Sequence, residues 1–297
     1  METNSAKNQA GSLEGDFDPS YLARCAQLAM VLEVSASPKP GNVDRDHDYP
    51  DTTFEHFLAS AIGTYPVLED AARSGSGVGT LIHAAAKESL RWQHGGNTHF
   101  GAFVLLIPLL MAAGSGRPAS EIVFDTAAED AAEFYRAFSV AGVRVDAVPE
   151  IDLKDAESVT RILKEDIRLF DLMKLSVDND LIANEWVNGF TRTFECADRI
   201  TEKAGKMSIN DAIVCTFLQM LAETPDTFIR TKFGRGKSID VSNHASMVIA
   251  GSRDLNSIKH GVHEFDKKLI SEKVNPGSTA DIVIGGLFVA LVRGLRV

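Results

Sequence analysis

Residues 100–113, FGAFVLLIPLLMAA, decide the fold of this 297-residue chain. Every residue in the stretch is hydrophobic except Gly101 and Pro108. The stretch has 14 residues, whereas a helix needs about 20 to cross a bilayer. We therefore predict a helix that is buried on all sides and central in the molecule, with Pro108 as a place where it can bend.

A polar connector, HGGNTH at residues 94–99, leads directly into this predicted helix. Glycines at the start of a helix leave backbone N–H groups open to an anion, and the positive end of the helix dipole lies there. The simpler interpretation is that Asn97 or Thr98 only caps the helix. Both interpretations stay open at this point.

A second connector is SPKPGNVDRDHDYPD at residues 37–51. Its prolines exclude a regular helix, because each ring fixes φ and biases the preceding residue towards extended backbone. The cations Lys39 and Arg45 alternate with carboxylates, among them Asp44, Asp46 and Asp48. This mixture suits a phosphate bound partly by cations and partly through Mg²⁺. The alternative is a solvated polar loop, which would not need this proline content.

Most of the remaining chain has helical periodicity. Asp18 with Pro19 is a helix start signal, and Ser208 with Asp211 and Thr52 with Glu55 have the spacing of capping boxes. Residues 144–151 are predicted as a short strand or an extended link. We predict an all-α single-domain multi-helix bundle over residues 17–297, preceded by a disordered N-terminal tail at residues 1–16.

Composition narrows the class of protein. The hydrophobic share of 44% and the charged share of 24% are ordinary for a globular domain. A net charge of −11 argues against a general nucleic-acid binder and against binding to an anionic membrane. A nucleotide substrate is still compatible, since it needs only a local cluster of cations and a metal. The three widely spaced cysteines indicate free buried thiols in a reducing compartment.

Two later connectors also concentrate polar residues. Residues 224–237 include Arg230 and Lys232 in a local run of cations, which favours an anion site or a solvated basic surface. Residues 274–281 include Asn275 and lead to Asp281 at the start of an apolar helix. Asp281 has the position either of a ligand-binding carboxylate or of a residue that only stabilises the helix dipole.

Taken together, the connectors resemble the triphosphoribosyl-dephospho-CoA synthase family. The resemblance is carried by three blocks in the family's order: Pro38-Lys39-Pro40-Gly41 with Val43-Asp44-Arg45, Gly96-Asn97-Thr98-His99 with Gly101, and Asn275-Pro276-Gly277 with Ala280-Asp281. It implies an all-helical cytoplasmic transferase that moves a 5-triphosphoribosyl unit from ATP to 3′-dephospho-CoA and releases adenine. Position 100 departs from the family's best-known members, because Phe100 stands where they have lysine.

The chemistry that the resemblance implies sets the expected roles. Displacing adenine at C1′ builds positive charge on the ribose and negative charge on the base, so the site needs cations, a carboxylate and an acid. We expect Mg²⁺ bound by Asp44, Asp46 and Asp48, and catalysis by Asp44, His99 and Asp281. The expected nucleotide-binding residues are Lys39, Arg45, Asn97, Thr98, Arg230, Lys232 and Asn275. Asp44, His99, Arg230 and Asp281 are expected to line one cleft.

The alternative functions are transfer to a different acceptor molecule, a different class of enzyme, and a protein without enzymatic activity. One is ribosyl or phosphoribosyl transfer to another acceptor, such as a tetrahydromethanopterin-type cofactor precursor. Prenyl-diphosphate enzymes also use aspartates and Mg²⁺, but the spacing of Asp44, Asp46 and Asp48 does not match their DDxxD pattern. A non-enzymatic helical interaction module would leave the polar connectors unexplained. The expected partners are therefore ATP and a nucleotide-like acceptor, without nucleic acid or membrane; a homodimer stays open.

Overall fold

A computed structural model describes residues 13, 15–142, 156–252 and 255–297. Over these residues the predicted all-α single-domain fold is confirmed, and no strand forms beyond an isolated bridge between Asp44 and His47. Most of the predicted N-terminal tail and the link at 144–151 lie outside the described residues. Leu13 is described, and it packs into the hydrophobic core.

The described residues form sixteen helices. They are α1 (Pro19–Ser35), α2 (Phe54–Gly63), α3 (Tyr65–Ala72), α4 (Val78–Trp92), α5 (Phe100–Ser115), α6 (Ala119–Phe124), α7 (Ala128–Ala141), α8 (Ala156–Lys164), α9 (Leu169–Ser176), α10 (Leu181–Val187), α11 (Thr191–Ala204), α12 (Ile209–Glu223), α13 (Thr227–Phe233), α14 (Arg235–Gly251), α15 (Leu255–Ser271) and α16 (Gly277–Val292). Within the described ranges, none of them has both the length and the apolar character needed to cross a membrane.

Helix α5 is the buried helix that the sequence predicts, and Pro108 lies inside it. Proline has no N–H, so the Val104 carbonyl one turn earlier loses its usual helical donor. Trp186 of α10 replaces that donor, because its indole Nε1–H donates to the Val104 oxygen at 3.0 Å. Trp186 itself is only 1% exposed. The Val104 carbonyl therefore stays hydrogen-bonded in the core, and this hydrogen bond links α5 to α10.

Helix α16 is the second apolar helix of the centre and packs on α1, α5 and α11. Its two adjacent glycines permit a close approach to α11. A Cβ atom at Gly286 would lie 2.6 Å from Cys196 Sγ, and one at Gly285 would lie 3.0 Å from Thr193 Cγ2. The first residues of α16 also meet the first residues of α5. The site described below lies where these two helices begin.

The helix starts agree with the predicted caps in two of three cases. Asp18 accepts a hydrogen bond from the Ser20 amide at 2.7 Å, and Ser208 accepts one from the Asp211 amide at 3.1 Å. The prediction for α2 is wrong by one residue. Its N-cap is Thr53, whose amide donates to His56 Nδ1 at 3.1 Å, so Thr52 lies before the helix.

Candidate active site

A cavity of about 560 Å³ lies among the N-terminal ends of four helices. The starts of α5, α10, α13 and α16 all contribute lining residues, as do residues 49–51 of the proline-rich connector. Two hydrogen bonds tie three of these starts together. Thr227 of α13 pairs with Ser278 of α16 (Oγ1 to Oγ, 3.0 Å), and the Leu181 amide of α10 donates to Thr227 Oγ1 at 3.0 Å. Helix N-termini that converge in this way favour anions.

Asp281 lines the cavity where α16 meets α5. It is the fifth residue of α16, and Pro276 is the N-cap of that helix. The approach to α5 is close, since a Cβ at Gly101 would lie 2.1 Å from Asp281 Oδ2. Only glycine at position 101 leaves room for this carboxyl group.

Burial raises the pKa of Asp281 well above its ordinary value of 3.8. The neighbouring carboxylates Glu33, Asp226 and Asp180 raise it further, whereas the Ala102 amide at the start of α5 lowers it. Glu33 and Asp180 also line the cavity. Asp281 therefore retains its proton at a pH where an exposed aspartate is ionised, which suits a general acid.

Asp180 and Asp226 cap the two short helices beside Asp281. Asp180 Oδ1 accepts from the Ile182 amide at 2.7 Å. Asp226 is fully buried, and its carboxylate accepts from the amides of Ile229 and Thr279 at 3.0 and 2.8 Å. Burial raises the pKa of Asp226 to about 6 in spite of these donors. Asp226 thus holds the starts of α13 and α16 together beneath the cavity.

His99 lines the cavity and is 1% exposed. Burial, with the charge of Lys39, lowers the pKa of the imidazole to about 3, so the ring is neutral at physiological pH. Its Nδ1 lies 2.9 Å from Ser60 Oγ, which accepts a hydrogen bond from Ser89. Because Ser60 Oγ is already an acceptor, its own hydrogen is available to His99 Nδ1. We infer that the His99 proton is on Nε2.

Three residues around the cavity carry buried polar atoms without a protein partner. These atoms are His99 Nε2, Asn42 Nδ2 and Asn275 Oδ1. Buried polar atoms in proteins are normally hydrogen-bonded. Three residues around one cavity therefore have hydrogen-bonding atoms free for a bound molecule.

Lysines and amides form the polar end of the cavity. Among the described lining residues, the cationic side chains are Lys232 and Lys273, both exposed to solvent. The Lys232 Nζ atom lies 4.7 Å from the centre of the Phe228 ring. Asn179 and Asn275 line the cavity as well. This end of the cavity suits a phosphate chain.

Comparison with known proteins identifies the family of this chain. The CitG family of ATP:dephospho-CoA triphosphoribosyl transferases matches residues 19–296. The chain belongs to this family. It is therefore a transferase, and the resemblance drawn from the connectors is confirmed. Among curated proteins, none matches the chain.

A solved structure extends the comparison to three dimensions. It is a protein from Archaeoglobus fulgidus with a provisional assignment as a triphosphoribosyl-dephospho-CoA synthase. It superposes with a TM-score of 0.66 at 28% sequence identity and covers 80% of this chain and 100% of its own. The family and the fold therefore agree.

The aspartates of the proline-rich connector do not form the predicted magnesium site. Asp44 is 1% exposed and does not line the cavity. Its Oδ1 accepts from the amides of Asp46 and His47 at 2.9 and 3.2 Å, and its Oδ2 accepts from the Lys39 amide at 3.0 Å. Backbone amides therefore satisfy both oxygens of this carboxylate, and Asp44 stabilises the conformation of the loop. The prediction that it acts at the reacting centre has no geometric support.

The other two aspartates of that prediction are also engaged elsewhere. Asp46 Oδ2 accepts from Ser37 Oγ at 2.6 Å, and Asp48 Oδ1 accepts from the Phe54 amide at 2.7 Å at the start of α2. Over the described part of the chain, no three Asp, Glu, His or Cys side chains are grouped closely enough to hold a metal ion.

Three of the predicted phosphate-binding cations lie away from the cavity. Lys39 is fully buried, and its Nζ pairs with Glu33 Oε1 at 2.8 Å. Arg45 is exposed and donates to Asn210. Arg230 donates to the Asp178 carbonyl and to Asn179 Oδ1 at 3.0 and 2.7 Å, so it positions Asn179 instead of lining the cavity.

The other predicted binding residues do line the cavity. They are Asn97, Thr98, Lys232 and Asn275. Asn97 also fulfils the capping alternative, because its Oδ1 accepts from the Phe100 amide at 3.0 Å. The predicted cleft of Asp44, His99, Arg230 and Asp281 is thus half right, since only His99 and Asp281 line it.

Sequence reasoning missed three charged residues of the cavity: Glu33, Asp180 and Lys273. Glu33 carried a signal, because it stands on the buried face of a largely apolar helix, where a carboxylate requires a partner. The sequence signal for Asp180 was weaker, since an aspartate before a helix is usually only an N-cap, and Asp180 does cap α10. Lys273 adopts a positive φ of 56°, which no sequence pattern at this position indicates.

Proposed function

We propose that this chain transfers a 5-triphosphoribosyl unit from ATP to 3′-dephospho-CoA in the cavity at the start of α5 and α16, and releases adenine. Family membership supports the reaction. The observation that carries its location is Asp281, a buried carboxyl group with a raised pKa that packs against Gly101 at the meeting point of two helix N-termini.

The roles of the residues follow from the charge that each step develops. A hydroxyl oxygen of the acceptor bonds to C1′ of the ATP ribose while the bond from C1′ to the adenine nitrogen breaks. Asp281 gives its proton to the departing adenine, and the hydroxyl proton passes to the neighbouring Asp180 carboxylate. Adenine is a poor leaving group as an anion, so protonation by Asp281 lowers the barrier. Negative charge from Asp180 and Glu33 also stabilises the oxocarbenium-like ribose.

The triphosphate would lie at the polar end of the cavity. Lys232 and Lys273 supply positive charge there, and Asn275 supplies an amide group. His99, neutral and with its proton on Nε2, donates a hydrogen bond to a substrate and does not act as the acid. A pKa of about 3 leaves too little imidazolium at neutral pH for His99 to protonate adenine.

Magnesium fits this site only with help from the substrate. The described side chains contain no complete ligand group for a metal. Mg²⁺ in nucleotide sites is commonly held by one or two carboxylates together with phosphate oxygens and water. The cavity-lining carboxylate of Asp51 is the protein group that would hold it, together with phosphate oxygens and water. When bound, Mg²⁺ would neutralise the triphosphate.

The reaction is tested by following adenine release from Mg·ATP by chromatography, with and without 3′-dephospho-CoA. We expect release that depends on the acceptor, together with a product whose mass equals dephospho-CoA plus the triphosphoribosyl unit. A parallel panel includes CoA and a tetrahydromethanopterin-type precursor. Adenine release only with a different acceptor would overturn the proposed substrate, and no release with any of them would overturn the proposed reaction.

A further inference from the structure

One side of the cavity is aromatic. Phe100 of α5 and two rings of α7, Phe134 and Phe138, line it together. The ring centres lie 5.9 Å apart for Phe100 and Phe134, 5.0 Å for Phe100 and Phe138, and 4.7 Å for Phe134 and Phe138. We call these three rings the aromatic wall. Leu172 and Met173 of α9 extend it with aliphatic side chains.

The aromatic wall is unsuited to the triphosphate. None of its rings carries charge, whereas the lining lysines, Lys232 and Lys273, come from α13 and from the turn before α16. Phosphate in an apolar environment without cations is strongly disfavoured. A planar uncharged ring is favoured there, because aromatic side chains bind nucleobases by stacking and by edge-to-face contacts.

The wall also lies next to the proposed acid. Phe100 directly precedes Gly101, and Gly101 is the residue against which Asp281 Oδ2 packs. A base on the wall would therefore be close to the proton that its departure requires. The neutral state of Asp281 is compatible with an uncharged neighbour of this kind.

We infer that the aromatic wall binds the adenine ring of the donor, ATP, and orients it for protonation by Asp281. This inference rests on the proposed function. Both substrates of that reaction contain adenine, and the position of the wall beside Asp281 favours the adenine that leaves. Phe100 then sets the choice of donor base, because it is the member of the wall that directly precedes Gly101, the residue against which the Asp281 carboxyl group packs.

The inference is tested by binding, without turnover. Adenine alone is titrated into the full chain by calorimetry or ligand-observed NMR. The variants are Phe134→Leu and Phe138→Leu, which keep apolar volume but remove a ring. Phe138→Tyr retains a ring, and Phe124→Leu is a matched control because Phe124 is 52% exposed and lies outside the cavity. Thermal melting confirms that each variant is folded; Phe138, which is partly exposed, carries the test if Phe134→Leu unfolds.

We expect the two wall variants to bind adenine about tenfold more weakly or worse, as loss of one stacking ring implies. Phe138→Tyr and Phe124→Leu should retain the wild-type affinity. ATP should displace adenine, and dephospho-CoA should not. Unchanged adenine affinity in the wall variants, no binding to the wild type, or displacement by dephospho-CoA alone would overturn the inference. These results are independent of turnover, so failure of the proposed reaction would be seen separately, in the adenine-release assay.

Discussion

Asp281 and His99 line the same cavity, but burial moves their proton equilibria in opposite directions. It raises the pKa of Asp281 well above 3.8, because the ionised form would be a buried anion beside other carboxylates. It lowers the pKa of His99 to about 3, because the ionised form would be a buried cation near Lys39. At neutral pH the carboxyl group therefore retains its proton, and the imidazole stays uncharged.

Asp281→Asn should be inactive and more stable at neutral pH. A raised pKa in the folded state favours folding below the ordinary value of 3.8, and this contribution is lost as the pH rises through the folded pKa. Asparagine does not ionise, so the variant does not lose this stability as the pH rises. Its thermal midpoint should therefore lie above that of the wild type at pH 7–8 and differ little from it below pH 4. Adenine release should fall about a hundredfold or more. Asp240→Asn, on the exposed side of α14, is the control. Retained turnover in Asp281→Asn would remove this residue from the mechanism.

His99→Gln should make the protein less sensitive to acid. The pKa of His99 is depressed in the folded state, so its contribution to stability is present above pH 6.5 and lost as the pH falls from 6.5 towards 3. One such proton changes the free energy of unfolding by about 1.4 kcal/mol per pH unit. The free energy of unfolding, measured with urea between pH 4 and 7, should depend less steeply on pH in the variant. The difference in this pH dependence should be up to about the same amount per pH unit. The exposed His260→Gln serves as control; equal slopes in His99→Gln and wild type would contradict the neutral buried ring.

At the scale of elements, the site depends on how closely α5 approaches α16. A Cβ atom at Gly101 would lie 2.1 Å from Asp281 Oδ2 and 2.7 Å from its Cγ. Neither helix can give way easily, because nearly all residues of α16 and most of α5 are buried. Trp186 further fixes α5 through the carbonyl that Pro108 leaves unpaired. The position of the acid is therefore set by two rigid helices instead of a loop.

Gly101→Ala should reduce activity by more than its loss of stability would explain. The added methyl group must displace the Asp281 carboxyl group, so adenine release should fall at least tenfold, whereas overpacking typically costs about 1–3 kcal/mol. Gly236→Ala is the matched control, because a Cβ there meets nothing within 4 Å and alanine is favoured inside helix α14. The measurement is the pair of initial rate and thermal midpoint for each variant. Normal rates in Gly101→Ala would show that the contact does not position the acid.

The elements were more predictable from the sequence than the directions of their side chains. The apolar run of α5 and the caps at Asp18 and Ser208 follow from local periodicity and hydrogen bonding, and the structure has them. The aspartates of residues 44–48 have the composition of a metal site, but Asp44 and Asp48 accept from backbone amides and Asp46 accepts from the Ser37 hydroxyl. A sequence pattern shows which groups are present and does not show which way they point. The positions of Glu33 and the aromatic wall at the cavity could not be predicted either, because they are set by contacts between segments that are far apart in sequence.

At the scale of the whole molecule, the fold gathers segments that are far apart in sequence around one cavity. Residues 97–101, 179–183, 227–232 and 273–281 all contribute to its lining. Each segment contains or adjoins a helix start, and a helical bundle collects such ends on one face. Most of the proline-rich connector acts differently. Asp266 of α15 holds it in place by accepting from the Gly41 amide at 2.9 Å, and Tyr49 donates to the Gly41 carbonyl at 2.7 Å.

We propose that these segments form the binding site for Mg·ATP. The most direct test is hydrogen–deuterium exchange with and without Mg·ATP, at short labelling times. We predict slower exchange in peptides covering residues 94–104, 176–184, 225–234 and 272–284, where ligand contacts would suppress local opening. Peptides from α14, on the far side of α13, should change little. Protection confined to α14 or to the connector at residues 45–48, with none at the starts of α5 and α16, would show that Mg·ATP binds elsewhere.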